Sequence, residues 1–282
     1  MPALFLLYLH LFDHMNSASI VVHKTPIQQL TVALECLEKS SVDIIYVIDN
    51  SPDDRLKDVA KNFLKVKYLK VINNGFGAGH NVAIKESYKN GAKYHLVMNA
   101  DVWWENNIIE SLVNYMDKNH EVGLISPKTY YPNGNLQYTC RMLPNPLDLF
   151  FKRFLPGKIA EKRMRKYLLK DFDHNSILNC PYLLGSFMFY RMDALKECGL
   201  FDERFFMYPE DIDITRRIHE KWKTLYLPEV SIIHEHQQAS RKSLKMFWIH
   251  FSNMIKYFNK WGWFFDKKRH IYNKELISNI KN

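Results

Sequence analysis

Alternation of strand-like and helix-like patterns over residues 17–127 constrains this chain more than any other feature. Short apolar runs at 19–22, 43–48, 68–72, 94–98 and 122–126 read as buried strands. Between them, 27–39, 55–64, 80–89 and 105–118 carry apolar residues at helical spacing. Such alternation predicts an α/β fold with a mainly parallel, doubly wound sheet, whose ligands gather at the C-terminal ends of the strands.

Three polar clusters fall at such ends. Asp49-Asn50-Ser51 closes the second strand and reads either as a contact for a base or ribose or as a plain Asx turn. Asn73-Asn74-Gly75-Phe76-Gly77-Ala78-Gly79-His80-Asn81 is a glycine-rich strand-to-helix turn whose backbone N–H groups could face an anion. Its GxGxG spacing is not the dinucleotide fingerprint, and no Gly-Lys-Ser/Thr follows to make a Walker loop. Asn99-Ala100-Asp101 places an acid just past the fourth strand, where it could hold a cation bridging a diphosphate.

The rhythm breaks over 128–179, where Pro132-Asn133-Gly134 and Pro144-Asn145-Pro146 are turns and 152–170 is basic and helical in pattern. That insert reads as the wall of a cleft or as a solvated basic face. Strand character returns at 181–190, and again around 224–227 and 230–234. Between them, Phe201–Arg217 sets five carboxylates (Asp202, Glu203, Glu210, Asp211, Asp213) among aromatic rings, with Pro209 at a helix start. Carboxylates held among rings carry tuned proton affinity, which suits a general base; a capped, solvated helix start is the plainer alternative. His234-Glu235-His236 follows a strand, where residues 234 and 236 point the same way and could meet a metal or a phosphate.

Composition removes several classes. With 47% hydrophobic residues the chain has a real core. A net charge of +9 favours phosphates or anionic surfaces. No zinc-finger spacing or RNA-binding aromatic signature is present, so nucleic acid is not the expected partner. Cys36, Cys140, Cys180 and Cys198 form no CxxC pair and fit reduced thiols in the cytoplasm. The apolar run 3–12 is too short to span a bilayer and lacks a signal-peptide n-region.

In order, Ser-Ile-Val-Val-His (19–23), Ile-Asp-Asn-Ser (48–51), Asn-x-Gly-x-Gly-x-Gly-His-Asn (73–81) and Met-Asn-Ala-Asp-Val (98–102) resemble the family 2 inverting glycosyltransferases. So do Leu-Leu-Gly-Ser-Phe-Met-Phe-Tyr-Arg (183–191), the Cys-Gly-Leu-Phe-Asp-Glu-Arg-Phe-Phe-Met-Tyr-Pro-Glu-Asp-Ile-Asp run (198–213) and His-Glu-His (234–236). The similarity is nearest to the bacterial rhamnosyltransferase branch and covers roughly residues 17–245.

The resemblance implies a GT-A fold and a nucleotide-diphosphate sugar donor. It places His23, Asp49, Asn74, Gly75, Asn81, Asn99 and Asp101 at the donor, with Asp49 on the base. Asp101 and His234 would hold Mg²⁺ or Mn²⁺, and Asp211, paired with Glu210, would be the general base. Asn99 departs from the family's acidic motif and is a weaker metal ligand. The acceptor implied is a glycan or a polyprenyl-linked glycan used for surface polysaccharide. A nucleotidyltransferase would want a glycine-rich loop after the first strand, where this chain has His23-Lys24-Thr25-Pro26. An inactive binding module is opposed by the intact Glu210, Asp211 and Asp101.

The expected division is an extension at 1–16, a nucleotide-sugar half at 17–127, an acceptor and catalytic half at 128–241, and a helical tail at 242–282. The tail interleaves Trp and Phe with Lys and reads either as a helix packed on the domain or as an interfacial helix on an anionic membrane. The expected location is the cytoplasm, at the inner face of the membrane if the tail docks there.

Overall fold

The computed structural model describes residues 15–148, 157–235 and 244–281. The alternating half forms four parallel strands, β1 (Asn16–Val22), β2 (Ile44–Asp49), β3 (Val66–Lys70) and β4 (Tyr94–Met98). They are joined by α1 (Ile27–Glu38), α2 (Arg55–Ala60) and α3 (Phe76–Lys89). On α1, Leu30, Ala33, Leu34 and Leu37 make the buried stripe that its spacing predicts. The chain runs outward from β1 through β2 to β3 and then returns to place β4 on the other side of β1, which creates a topological switch point.

After β4 come β5 (Val102–Trp103), α4 (Ile108–Lys118) and β6 (Val122–Tyr130). The insert supplies β7 (Leu136–Gln137), β8 (Cys140–Arg141), α5 (Lys158–Tyr167), β9 (Leu178–Asn179) and β10 (Tyr182–Leu183). Next are β11 (Phe187–Arg191), α6 (Met192–Cys198), α7 (Glu210–His219) and β12 (Lys223–His234), and then the tail helices α8 (Leu244–Trp261) and α9 (Lys267–Lys281). The main sheet is ordered β3-β2-β1-β4-β11-β6-β12-β5, with β7 beside β6 and β9 beside β12. Strand β11 runs antiparallel between β4 and β6, so the sheet is mixed but mostly parallel.

Several sequence boundaries move, each for a local reason. The glycine-rich stretch is the first turn of α3 rather than a loop before it, because Gly77 and Gly79 let the helix sit directly on its neighbours. A Cβ on Gly77 would lie 2.8 Å from Phe201 Cβ, and one on Gly79 2.8 Å from Val21 Cγ2. The expected strand at 181–190 breaks at Gly185, leaving β10 and β11 on either side. The two strands expected near 224–234 are one, with a register shift between Leu227 and Ser231 around Pro228.

A polar cluster lies inside the core between β1, β4 and α3. Ser19 Oγ is 2.7 Å from His80 Nδ1 and 2.8 Å from His95 Nε2. Ser17 Oγ and Ser87 Oγ flank His95 Nδ1 at 2.8 and 3.0 Å. Burial drives both imidazoles toward the neutral form, His95 to about 3.

The tail packs on the domain. Met254, Tyr257 and Phe258 of α8 join Phe205 and Ile212 in one apolar cluster, and Leu276 of α9 joins another. Arg216 of α7 is buried and forms a bidentate pair with Asp266 at 2.6 and 2.7 Å, under the face of Trp261. Lys260 bridges Asp202 and Asp213 at 2.8 and 2.6 Å, and Trp261 Nε1 donates to Asp213. Lys256 donates to the Arg204 carbonyl. The ammonium groups of Lys256 and Lys260 are thus engaged by the protein, although Lys256 itself is exposed. No described helix is long and apolar enough to cross a membrane.

Candidate active site

Helix α7 starts after a strained approach. Tyr208 has φ 96°, a left-handed value that side chains rarely adopt and that costs about 1–3 kcal/mol. Pro209 follows, and Glu210 and Asp211 open the helix, both buried. Asp211 Oδ2 accepts the Gly185 N–H at 3.0 Å, and Oδ1 accepts the Ile212 N–H at 2.8 Å. Gly185 is required there, since a Cβ would meet Asp211 Cβ at 3.0 Å. Burial pushes the Asp211 carboxyl up to about 6, against those two N–H groups and the Arg141 charge, which favour the carboxylate. Burial, and secondarily the Asp211 charge, push Glu210 well above the usual carboxylate range. Glu210 Oε2 has no hydrogen-bond partner among the described residues. The pair thus offers one carboxyl poised near neutrality beside one that resists ionising.

The other acids of the stretch have different work. Asp202 is gripped by Arg204 and Lys260, which hold it well below the usual range. Glu203 accepts from Asn81 Nδ2 at 2.9 Å. Asp213 takes Lys260, Arg217 and Trp261.

At the far edge of the sheet, β5 pairs with β12 so that Val102 faces His234. This brings Asp101 Oδ1 within 3.4 Å of His234 Nε2. Gln137 of β7 sets the histidine: its Nε2 donates to the His234 carbonyl at 2.5 Å, which turns its Oε1 toward Nδ1 at 2.9 Å. A carbonyl only accepts, so the amide orientation is fixed and Nδ1 must carry the proton. That leaves Nε2 as the nitrogen that points at Asp101, the orientation a metal-binding histidine would need. Asp101 and His234 fit a divalent cation that takes its remaining ligands from a diphosphate and water. No group of three or more His, Cys, Asp or Glu suited to a metal occurs among the described residues. His236 lies outside them. Glu235 accepts instead from Gln29 of α1 at 2.6 Å.

The remaining candidates gather at the ends of β1, β2 and β3. His23 Nδ1 lies 2.9 Å from the Asn50 carbonyl and 3.3 Å from Asn73 Nδ2. Asp49 is fully buried and already accepts from the Ser51 N–H (2.7 Å) and Tyr68 OH (2.6 Å), with Lys70 at 3.5 Å. Burial would raise its proton affinity, but those donors hold it below the usual range. It organises the turn, and the exposed surface there belongs to its neighbours.

The glycine turn uses several of its own amides within the protein. Asn74 N donates to Ile72 O, Gly75 N to Asn73 Oδ1 and Phe76 N to Phe206 O, so these amides are spent on the protein. A Cβ on Gly75, at φ 105°, would lie 2.2 Å from Phe206 O. Asn81 is buried, with its amide stapled to Phe201 N and O and to Glu203. Gly75 and Asn81 thus lock the first half to the approach of α7, while the Asn74 side chain is exposed. A second link crosses at 184–186: Asn99 N donates to Ser186 O at 3.0 Å, next to the glycine that holds Asp211.

Sequence reasoning missed Gly185, Arg141 and Gln137 as functional neighbours. A glycine interrupting an apolar strand pattern signals a close approach, which could have flagged Gly185. Gln137 has no sequence signal, since its role depends on β7 pairing with β6.

A mostly parallel sheet with carboxylates at its C-terminal edges is the arrangement of GT-A glycosyltransferases, and solved structures show the same fold. GalNAc-T7, solved with UDP, GalNAc and Mn²⁺, aligns at TM-score 0.60 and 18% identity over 78% of this chain and 44% of its own. S. aureus TarS 1–349 aligns at 0.52 and 17% identity over 78% of this chain and 60% of its own. The chain thus spans less than two thirds of either.

The Glycosyl transferase family 2 model matches residues 19–199, and the chain belongs to that family. Two relatives carry rhamnosyltransferase names. The N-acetylglucosaminyl-diphospho-decaprenol L-rhamnosyltransferase of Mycobacterium tuberculosis (strain H37Rv) is 22% identical, over 74% of this chain and 71% of that protein. Rhamnosyltransferase WbbL of Escherichia coli (strain K12) is 25% identical, over 76% of this chain and 81% of that one. The chain is a glycosyltransferase.

Proposed function

We propose that the protein transfers a sugar, rhamnose by the names of its relatives, from a nucleotide-diphosphate donor to a lipid-linked or glycan acceptor, with inversion, in surface polysaccharide synthesis. The observation that carries the reading is Asp211: a buried carboxylate with a proton affinity near neutrality, held by the N–H groups of Ile212 and of Gly185, the latter on the loop that also meets Asn99.

Inversion requires one in-line displacement at the anomeric carbon, with no protein nucleophile. Asp211 takes the proton of the acceptor hydroxyl as that oxygen attacks. Burial raises the proton affinity of Glu210 well above the usual carboxylate range, so it resists adding a second negative charge beside Asp211. Asp101 and His234 would hold a divalent cation, with Asn99 as a weak neighbour, and Gln137 keeps the histidine nitrogen aimed. Such a cation would supply charge neutralisation for the departing diphosphate. His23, Asn74 and the turn organised by Asp49 line the base and ribose, with Gly75 and Asn81 holding that wall against the α7 approach. The division into a donor half at 17–127 and an acceptor half at 128–241 follows these roles, at the cytoplasmic face of the membrane.

The test is a transfer assay with nucleotide-diphosphate sugars and a diphosphate-lipid acceptor analogue. Anomeric inversion in the product and loss of transfer in Asp211→Asn support the reading. Retention of configuration would overturn it, as would donor turnover unchanged in that variant.

A further inference from the structure

We infer that one face of α8, continued through the turn into α9, is a docking surface for an anionic lipid bilayer. It commits to a surface helix that lies on the membrane and does not cross it. Leu244 (78% exposed), Trp248 (62%) and Phe251 (48%) recur at i, i+4 and i+7 on one face of α8. The Phe247, Trp248 and Phe251 rings pack against one another at 5.6–6.2 Å. At the other end of the helix, Trp263 lies 5.3 Å from the buried Phe258. There the turn presents Trp263 (40%), Phe264 (64%) and Phe265 (99%). A soluble surface rarely leaves a contiguous run of such rings in water.

The turn is also built. Gly262, at φ 102°, donates its N–H to Phe258 O and ends α8. Arg269 Nη2 donates to Trp263 O at 2.8 Å and to Phe264 O at 3.3 Å. Asp266 caps α9 through the Arg269 N–H at 3.0 Å while it holds Arg216. The three rings therefore project from a stiff support, so little ordering entropy remains to be lost when they enter another phase.

Charge selects the occupant. Residues 244–282 carry eight Lys and Arg against two acids. Lys256, Lys260, Lys268 and Arg269 are engaged within the protein, but Lys267 and Lys274 are exposed beside the turn. Phe264 also forms one wall of an open cleft shared with Leu147 and Ile277 and edged by Lys166, His270 and Lys274. Rings at headgroup depth with lysines on the phosphates match an anionic bilayer better than an acidic protein, which would leave the rings wet. The inference stands on this surface alone and does not depend on the identity of the acceptor.

Full-chain protein is sedimented with phosphatidylcholine vesicles containing or lacking phosphatidylglycerol, at low and high salt, with no acceptor present. The wild type should bind the anionic vesicles more tightly than the neutral ones, and less at high salt. Phe264→Ser with Phe265→Ser should lower partitioning by about tenfold or more, because both rings are the membrane-facing apolar area. Lys267→Glu with Lys274→Glu should lower it by at least about tenfold on anionic vesicles only. Leu64→Ser, at an equally exposed leucine after α2, should change nothing. Unaltered thermal melts show that each variant folds. The inference fails if the wild type ignores anionic vesicles, if the ring variant binds as well as the wild type, or if Leu64→Ser weakens binding equally. It also fails if the wild type is a dimer that the ring variant splits, since the face would then belong to a second copy.

Discussion

Asp211 and Asp213 stand two residues apart on one helix, are both buried, and live in opposite electrical surroundings. Among the described residues Asp211 is held by the backbone N–H groups of Gly185 and Ile212, with the Arg141 charge nearby. Asp213 faces the tail and takes Lys260, Arg217 and the Trp261 indole. One helix turn further on, Arg216 is neutralised by Asp266. Burial alone therefore does not set what a carboxylate does. The side of the helix it leaves from decides whether it keeps a cation in contact, and only the uncompensated side is suited to taking a proton.

The largest effect should separate these two sides. Asp211→Asn should lower transfer by about 10²–10⁴-fold with the melting temperature preserved, as an amide keeps the shape without accepting the proton. If Glu210→Gln is inactive and Asp211→Asn is not, the base is Glu210 and the contrast is drawn at the wrong residue. On the tail side, Asp266→Ala should cost roughly 3–5 kcal/mol in denaturant unfolding, because Arg216 is left buried and unpaired. Its kcat should fall far less than that of Asp211→Asn among molecules that remain folded; equal losses would make the two sides one unit.

A third change asks whether the cleft's deficit of positive charge is met by a cation. Gln137→Leu should weaken Mn²⁺ binding, measured by calorimetry without substrate, by roughly 10–100-fold. Unchanged affinity would remove Gln137 from the metal's support. The smallest effect is in the pH profile. A base with a pKa of about 6 must be ionised to act, so kcat/KM should rise with pH through 6 and level off above it. At pH 5 it should be about tenfold below the plateau. A profile flat from pH 5 to 8 would mean that Asp211 is not titrating in the free enzyme.

The strand–helix order, and the positions of Asp101 past β4 and Asp211 at a helix start, were legible in the sequence because local periodicity and strand-end chemistry set them. The division of labour among the acids of 201–217 was not. Which carboxylate meets Lys260 or Asn81 depends on residues far away in the chain, and no window of sequence contains both partners. The glycine turn shows the same limit: the spacing suggested a loop for an anion, but Phe201, Val21 and Phe206 O explain each glycine by steric contact. Likewise His80, part of the motif, turns into the core to meet Ser19 rather than into the cleft. The tail's two readings are not exclusive, because α8 has an inner face that packs and an outer face that does not.

The Asp266–Arg216 pair joins a residue of the last helix's cap to the middle of the helix that begins with Asp211. A chain severed after residue 243 would be split along that polar seam, leaving Arg216 on one fragment and its carboxylate on the other. Each piece would present a geometrically specific half of the same contact, alongside the Lys260 contacts to Asp202 and Asp213. Rejoining the two pieces would have to restore both halves of that seam at once, because the outer face of the helix that begins with Asp211 is completed by residues of the tail.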